Sequence, residues 1–458
     1  AIVVLALGAR TFGAEKVDLL IDGGLVVSMA TDAGPIVGGL VAIRDDRIVA
    51  VGTSTELRTR YESDTVIDAT GHVVMPGLVN THGHVPMTLF RGIADDRPLS
   101  EWLQKYIFPA EAKLVDEAFV RCGTQLGCLE MIRGGTTTYV DMYYFEHAVA
   151  DETAKAGMRG LLGETLIDFP APDNKTWGSA IAAMRDFAKH WRGHPLITPA
   201  VAPHAPYTVS EEHLREAAAL AQELDLPLLM HVAEAAPEVE RIRREHGCSP
   251  VAYLDRLGIL SDRMLAAHVV WADDEDRKAL ARNRVGVAHC PQSNMKLADG
   301  IAQAPAMLRA GIAVGLGADG AASNNDLDLW EEIDTAAKLH KVASRDPTVL
   351  IAREALTMAT LGGARALNMA REIGSLEVDK RADIIVVAID EPHQIPMYNA
   401  FSQLVYATKA SDVRTVVING RVVMRDRKVL TIDEPALRKR VAEYHQRIAD
   451  TVLAPKQP

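Results

Sequence analysis

Between residues 73 and 316 the chain repeats one arrangement eight times: a short apolar run, then a longer amphipathic stretch. The apolar runs fall at 73–79, 136–140, 159–166, 197–201, 227–230, 264–267, 285–287 and 312–316. Short runs rich in aliphatic residues, with little polar alternation, suit strands buried on both faces. The intervening stretches have helical spacing. In 210–224, Ser210 is placed to cap a helix whose apolar residues recur at that spacing. Strand and helix in alternation predict a parallel sheet covered by helices, and eight units predict a closed (β/α)8 barrel of the TIM type in the α/β class. An open doubly wound sheet is the competing arrangement, but its glycine-rich phosphate loop is not found in the sequence.

The flanks have a different texture. Short β-like runs punctuated by Gly, Asp and Asn fill the region from about Lys16 to Thr70, and the same pattern returns at 383–387 and 413–420. This predicts a small β-sandwich domain built from both chain termini, 1–70 plus 372–430, around a catalytic barrel at 71–371. Residues 431–458 are expected as a C-terminal helix and tail, the amphipathic helix covering about 434–452 and packing on the barrel or a neighbour.

Composition narrows the partners. The net charge is -12 and no basic block occurs, which argues against nucleic acid or an anionic membrane. No apolar run reaches the roughly 18–20 residues of a membrane span. A small molecule is the expected partner, and a homo-oligomer is compatible with the pattern. Cys122, Cys128, Cys248 and Cys290 form no CxxC pair and read as free thiols, Cys122 and Cys128 as core residues of a helix. The expected location is the cytoplasm. The apolar start, 1–14, offers the alternative of an exported chain carrying a signal-peptide remnant, but no basic segment supports it.

The chemistry-bearing residues follow the predicted strands. His82 and His84 stand just past the first run, His231 and Glu234 past the fifth, His268 at the end of the sixth and Asp319 past the eighth. In a parallel barrel all strand C-termini open on one face, so these residues converge there. Two imidazoles one residue apart can address a single ion, and zinc accepts neutral imidazole well. A metal hydrolase needs about three protein ligands, an open position for water and acid–base groups beside it. His82, His84 and His231 are the expected nitrogen ligands. Asp319 is the expected oxygen ligand and proton acceptor, Glu234 the proton shuttle and His268 the group that polarises the water. His72, His147, His194 and His393 read as structural. His289 is read either as shaping its loop or as touching substrate.

These same residues carry a resemblance. The segments Pro76–His84, His231-Val-Ala-Glu234, 289–297 and 317–325 resemble those of the amidohydrolase superfamily, and within it the S-adenosylhomocysteine/5-methylthioadenosine deaminase group. The resemblance covers nearly the whole chain. It implies one divalent metal ion per subunit, usually zinc. Binuclear relatives carry a bridging lysine at the end of the fourth strand, where this chain reads Val201-Ala-Pro-His204. It implies a hydrolytic deaminase acting on the adenine ring of adenosine or 5′-modified adenosines, 5-methylthioadenosine and S-adenosylhomocysteine among them, releasing ammonia and the inosine analogue. Hydrolysis of another heteroaromatic ring (guanine, a pterin, cytosine or a chloro-triazine) is the alternative, because the metal chemistry is nearly the same. The resemblance places Glu111 on the ribose hydroxyls and His204 on the nucleoside, and Trp102 is read either as a wall of the pocket or as a core or lid residue. Glu164 stands where some relatives hold the amino-acid carboxylate of S-adenosylhomocysteine with arginine, and a carboxylate there would repel that group, with Lys175 the available substitute.

Overall fold

The computed structural model describes residues 14–453. The apolar start read as a signal remnant falls almost wholly on residues 1–13, outside the described residues.

Eight parallel strands, Leu78–Asn80, Thr136–Tyr143, Arg159–Leu166, Ile197–Pro203, Leu228–Val232, Met264–His268, Gly286–His289 and Val314–Leu316, pair in chain order. The backbone N–H of Thr81 donates to the Leu316 carbonyl at 2.9 Å, bringing the eighth strand onto the first. A Cβ at Gly317 would lie 2.8 Å from the Cβ of His82, so this approach requires glycine. Val140, Leu161, Ala200, Leu229, Leu265 and Ala288 form part of one buried cluster contributed by successive strands. The helices pack outside. Glu211–Leu224 begins where its capping residue predicts, with the Ser210 hydroxyl accepting from the His213 N–H at 3.5 Å.

The first apolar run departs from its expected form. Residues 73–79 are two strands rather than one. His72–Pro76 pairs antiparallel with Ile384–Ala388 in a second sheet, and after Gly77 the chain enters the barrel as Leu78–Asn80. A Cβ at Gly77 would sit within 2.1–2.7 Å of the Thr137 side chain, so only glycine fits the crossing. The second sheet has nine strands from both ends of the chain, among them Leu19–Val26, Ile36–Arg44 and Arg47–Thr53 on one side and Val413–Ile418 and Arg421–Arg425 on the other. Ile21, Ile43, Val74, Ile384 and Val417 share its core. The buried Arg159 guanidinium joins this unit to the barrel, pairing with Asp383 at 2.9 and 3.1 Å.

Two further elements frame the barrel mouth and flank. Residues 99–114 form a near-continuous helical segment, wound as a π-helix at Trp102–Ile107 and ending in Phe108–Leu114. The helix Glu434–Ile448 packs on Glu117–Gly134, where Tyr444 meets Phe119 edge-on at 5.6 Å and Arg133 pairs with Glu434 at 2.7 Å. Among the described residues no helix is long and apolar enough to cross a membrane. Cys122, Cys128, Cys248 and Cys290 are free thiols.

Candidate metal and substrate site

The strand C-termini bring five of the expected residues into one cluster. Ligand atoms of His82, His231 and His268 lie within 4.8 Å of one another, as do those of His82, His84 and Asp319. Asp319 Oδ1 stands 3.5 Å from His82 Nε2 and 3.4 Å from His84 Nε2. His268 and Asp319 sit in the left-handed backbone region, with φ of 70° and 60°. Such backbone is costly for residues other than glycine and concentrates at functional sites.

Hydrogen bonds settle which nitrogen of each ring faces the centre. His84 Nδ1 donates to the Met142 carbonyl at 2.7 Å and His231 Nδ1 to the His204 carbonyl at 2.8 Å. A carbonyl only accepts, so both Nδ1 atoms carry a proton and both Nε2 atoms face the centre, where in a neutral ring they present lone pairs. Those two Nε2 atoms are 3.2 Å apart. Two lone pairs at that distance repel unless a cation lies between them. Two nitrogens on one zinc, each about 2.0–2.1 Å from it in tetrahedral geometry, are separated by about 3.3 Å. The Nε2 atoms of His82 and His268 are likewise buried and without a hydrogen-bond partner. The donor set therefore fits a divalent metal ion.

The electrostatics agree. Burial holds His82 and His231 well below the usual histidine range and lowers His268, which favours the neutral ring. Burial works against ionising Asp319, but the neighbouring His268, His82 and His84 and the Ser293 hydroxyl outweigh it and keep the carboxylate below its ordinary range. Ser293 and Ser323 donate to Asp319 Oδ2 at 2.6 and 3.0 Å. Glu234 behaves oppositely. Burial, then the Asp299 and Asp319 charges, push its carboxyl well above the usual range, which favours its protonated form. Its Oε1 lies 3.7 Å from His268 Nε2. Glu238 fixes the turn beneath it, accepting from the backbone N–H groups of Ala233 and Glu234 at 3.0 and 2.8 Å.

The cluster forms one end of a cavity of about 60 Å³ roofed by residues 99–114. Glu111, Trp102 and His204 line it, together with Tyr143 and Thr165. The Tyr143 hydroxyl donates to Glu111 at 2.7 Å, while burial raises the Glu111 carboxyl to about 8. His204 has a second task, because its carbonyl holds the His231 ring. Glu164 is not brought to the cavity. Its carboxylate turns to the backbone N–H of Glu146 at 3.2 Å and the Asn174 amide at 3.0 Å, and its neighbour Thr165 faces inward instead. Lys175 is tied to the Ala171 and Pro172 carbonyls at 2.6 and 3.0 Å. His289 also stays out of the cavity wall and pairs with His340 at 3.0 Å.

Several positioning residues escaped the sequence reading. Asn294 accepts from His268 Nδ1 at 2.9 Å and so fixes that ring. Asp141 accepts from the Val85 N–H next to His84. Ser293 and Asn294 lie on the short helix Pro291–Lys296, where no residue type or spacing marks them as partners of Asp319 and His268.

Residues 73–423, well over half of the chain, match the "Amidohydrolase family". The chain belongs to the amidohydrolase family. A shorter match, over 41–61, is to an "Imidazolonepropionase-like composite domain, bacteria". The chain is 47% identical over 429 residues to a 5-methylthioadenosine/S-adenosylhomocysteine deaminase of Syntrophobacter fumaroxidans, covering 94% of this chain and 98% of the relative. It is 43% identical over 443 residues to a 5′-deoxyadenosine deaminase of Methanosarcina mazei, covering 95% and 99%. Among solved structures, it superposes on an adenosine deaminase from Xanthomonas campestris with bound zinc at a TM-score of 0.94 and 40% identity, covering 95% of this chain and all of that one.

Proposed function

We propose that this chain is a metal-dependent hydrolytic deaminase of the adenine ring, acting on adenosine and 5′-modified adenosines. The observation that carries this reading is the pairing of two groups. The Nε2 atoms of His84 and His231 face the centre 3.2 Å apart with Asp319 Oδ1 3.4 Å from the first, and the Glu234 carboxyl lies beside them, 3.7 Å from His268 Nε2. The first group suits one zinc ion and the second suits a proton donor. The names of the relatives from Syntrophobacter and Methanosarcina, and the zinc in the Xanthomonas structure, support the same reading.

His82, His84, His231 and Asp319 would hold the ion. When bound it supplies a water whose pKa is lowered toward neutrality. Asp319 would accept a proton from the attacking water as the water's oxygen adds to C6 of the adenine ring. Glu234 delivers its proton to ring nitrogen N1, so no charge is left on the ring. His268, held by Asn294, directs its Nε2 lone pair to the attacking water. Glu234 then takes up the proton of the new hydroxyl as the carbonyl forms. The amino group leaves as ammonia with the proton that Asp319 held. Glu111 and His204, both in the cavity wall, receive the ribose hydroxyls.

The deciding experiment is ammonia release from adenosine, 5-methylthioadenosine, 5′-deoxyadenosine, guanine and cytosine, with metal content assayed on the same sample. Turnover of the adenosines by zinc-loaded protein is expected. A fully metallated protein that leaves all adenosines intact and consumes guanine or cytosine sinks the proposal.

A further inference from the structure

The helix Leu329–Ser344 carries a buried carboxyl that the mechanism above does not use. Asp328 caps this helix, accepting from the Trp330 N–H at 2.9 Å, and the Trp330 indole donates to the Gly134 carbonyl at 2.8 Å, so its first turn is fixed in place. Glu332, within that turn, is fully buried and reaches two segments at once. Its Oε2 accepts from the Gln292 N–H at 3.3 Å and its Oε1 from the Asn324 amide at 2.8 Å. The same amide nitrogen donates to the Ala318 carbonyl at 2.8 Å. The residues next in the chain are those that hold the site. Ser293 follows Gln292, Ser323 precedes Asn324, and Asp319 follows Ala318. Ser293 and Ser323 both donate to Asp319 Oδ2, and their hydroxyls lie 3.2 Å apart. The other oxygen, Oδ1, is the one that faces the Nε2 atoms of His82 and His84.

We propose that Glu332 is a positioning residue for the metal centre: it clamps the segments after the seventh and eighth strands together, so that Ser293 and Ser323 converge on one oxygen of Asp319 and leave the other for the ion. The proposal rests on the metal-dependent reading above. An aspartate held only at its Cα can turn either oxygen, or both, toward a cation. Two hydroxyl donors on Oδ2 fix which one is presented, as partners of a ligating carboxylate do. Those donors come from separate segments, and Glu332 bonds to both segments. A carboxyl suits this place because both of its oxygens can accept. An amide nitrogen cannot, so glutamine here, in either orientation, sets a donor against a donor and gives up one arm. Asn294, two residues past Gln292, holds the His268 ring, so the same clamp serves that group.

The test reads zinc affinity, by competition with a chelator, together with kcat and KM for adenosine at saturating zinc. Glu332→Gln is expected to weaken zinc binding and to lower kcat by about 10-fold or more each, with KM close to that of the parent. Asn324→Ala, which cuts the other arm, is expected to do the same. Combining Glu332→Gln with Ser293→Ala should weaken zinc binding by less than the product of the two single effects, because both act on one oxygen of Asp319. If Glu332→Gln does not fold, Asn324→Ala takes its place in that cycle. Parental zinc affinity and kcat in either variant, whatever its melting temperature, overturn the proposal and leave Glu332 a strut of the fold. So do losses of zinc affinity that multiply in the double variant, and so does a rise in KM at unchanged kcat. A parent that binds zinc but releases no ammonia from adenosine or 5-methylthioadenosine overturns the deaminase reading instead, and the zinc affinities then decide this proposal on their own.

Discussion

At the scale of single residues, the site works by assigning each nitrogen and oxygen one task. The Nδ1 atoms of His84, His231 and His268 are engaged by Met142, His204 and Asn294, which turns each Nε2 inward. Asn294→Ala removes the partner of the buried His268 ring without touching His82, His84, His231 or Asp319. It is expected to lower kcat by about 10- to 100-fold while metal content stays near that of the parent, as steady-state kinetics and elemental analysis would show. Glu234→Gln keeps the shape but has no proton to give. A fall in kcat of at least about 1,000-fold with full metal content is expected, and activity near that of the parent would remove Glu234 from the mechanism. His82, His84, His231, His268, Glu234 and Asp319 were legible because each follows an apolar run that could only be a strand. Glu164 was not. Its strand, Arg159–Leu166, is buried at all eight positions, so no polar–apolar alternation says which side chains point inward.

At the scale of elements, the geometry depends on close approaches that only small residues permit. The helix Glu117–Gly134 presses on the segment Val85–Phe90 that follows His84, and a Cβ at Gly123 would lie 2.2 Å from the Pro86 carbonyl oxygen. Backbone cannot yield as a flexible side chain does. Gly123→Ala is expected to destabilise by about 1–3 kcal/mol despite alanine's better helix propensity, and to weaken metal retention by displacing His84. Denaturant unfolding of the metal-free protein and competition with a chelator measure the two effects separately. The roof, 99–114, belongs to the same scale. Its apolar residues look in sequence like any amphipathic helix, and only its docking over the strand ends makes them a wall of the substrate cavity.

At the scale of the whole molecule, the β unit and the barrel are joined by buried polar contacts. Arg159 on the third barrel strand reaches Asp383 and, at 3.2 Å, Asn419, and also donates to the Pro195 carbonyl at 2.8 Å. Asp383→Ala strands a buried guanidinium and is expected to cost about 3–5 kcal/mol in global unfolding. A loss under 1 kcal/mol would mean that the joint does not need this pair. Stability also carries a pH signature. The folded protein holds the Glu111 carboxyl up at about 8, against 4.5 for an ordinary glutamate, so it binds a proton that the unfolded chain releases earlier. The stabilisation is whole below about 4.5 and is lost as the pH rises to about 8. The substrate-free protein should therefore melt at lower temperature as pH climbs through that window, and Glu111→Gln should flatten the slope. Parallel slopes for parent and variant would contradict the buried, neutral Glu111.

The sequence by itself determined the eightfold repeat, and with it the barrel and the face on which the active groups gather. Apolar runs must be buried, and parallel strands joined by helices place all their C-terminal ends together. It also placed the donor types, because His82, His84, His231 and Asp319 all follow predicted strands and so gather on that face. Tertiary structure alone decided the rest. It split residues 73–79 between two sheets at Gly77, where packing against Thr137 leaves no room for a side chain. It turned Glu164 outward and Thr165 inward, a choice set by barrel registry rather than by residue type. It brought Asn294 to His268 and Ser293 and Ser323 to Asp319. The segments 289–297 and 317–325 stand out in the sequence, but which side chain in them meets which partner is specified by how the elements pack.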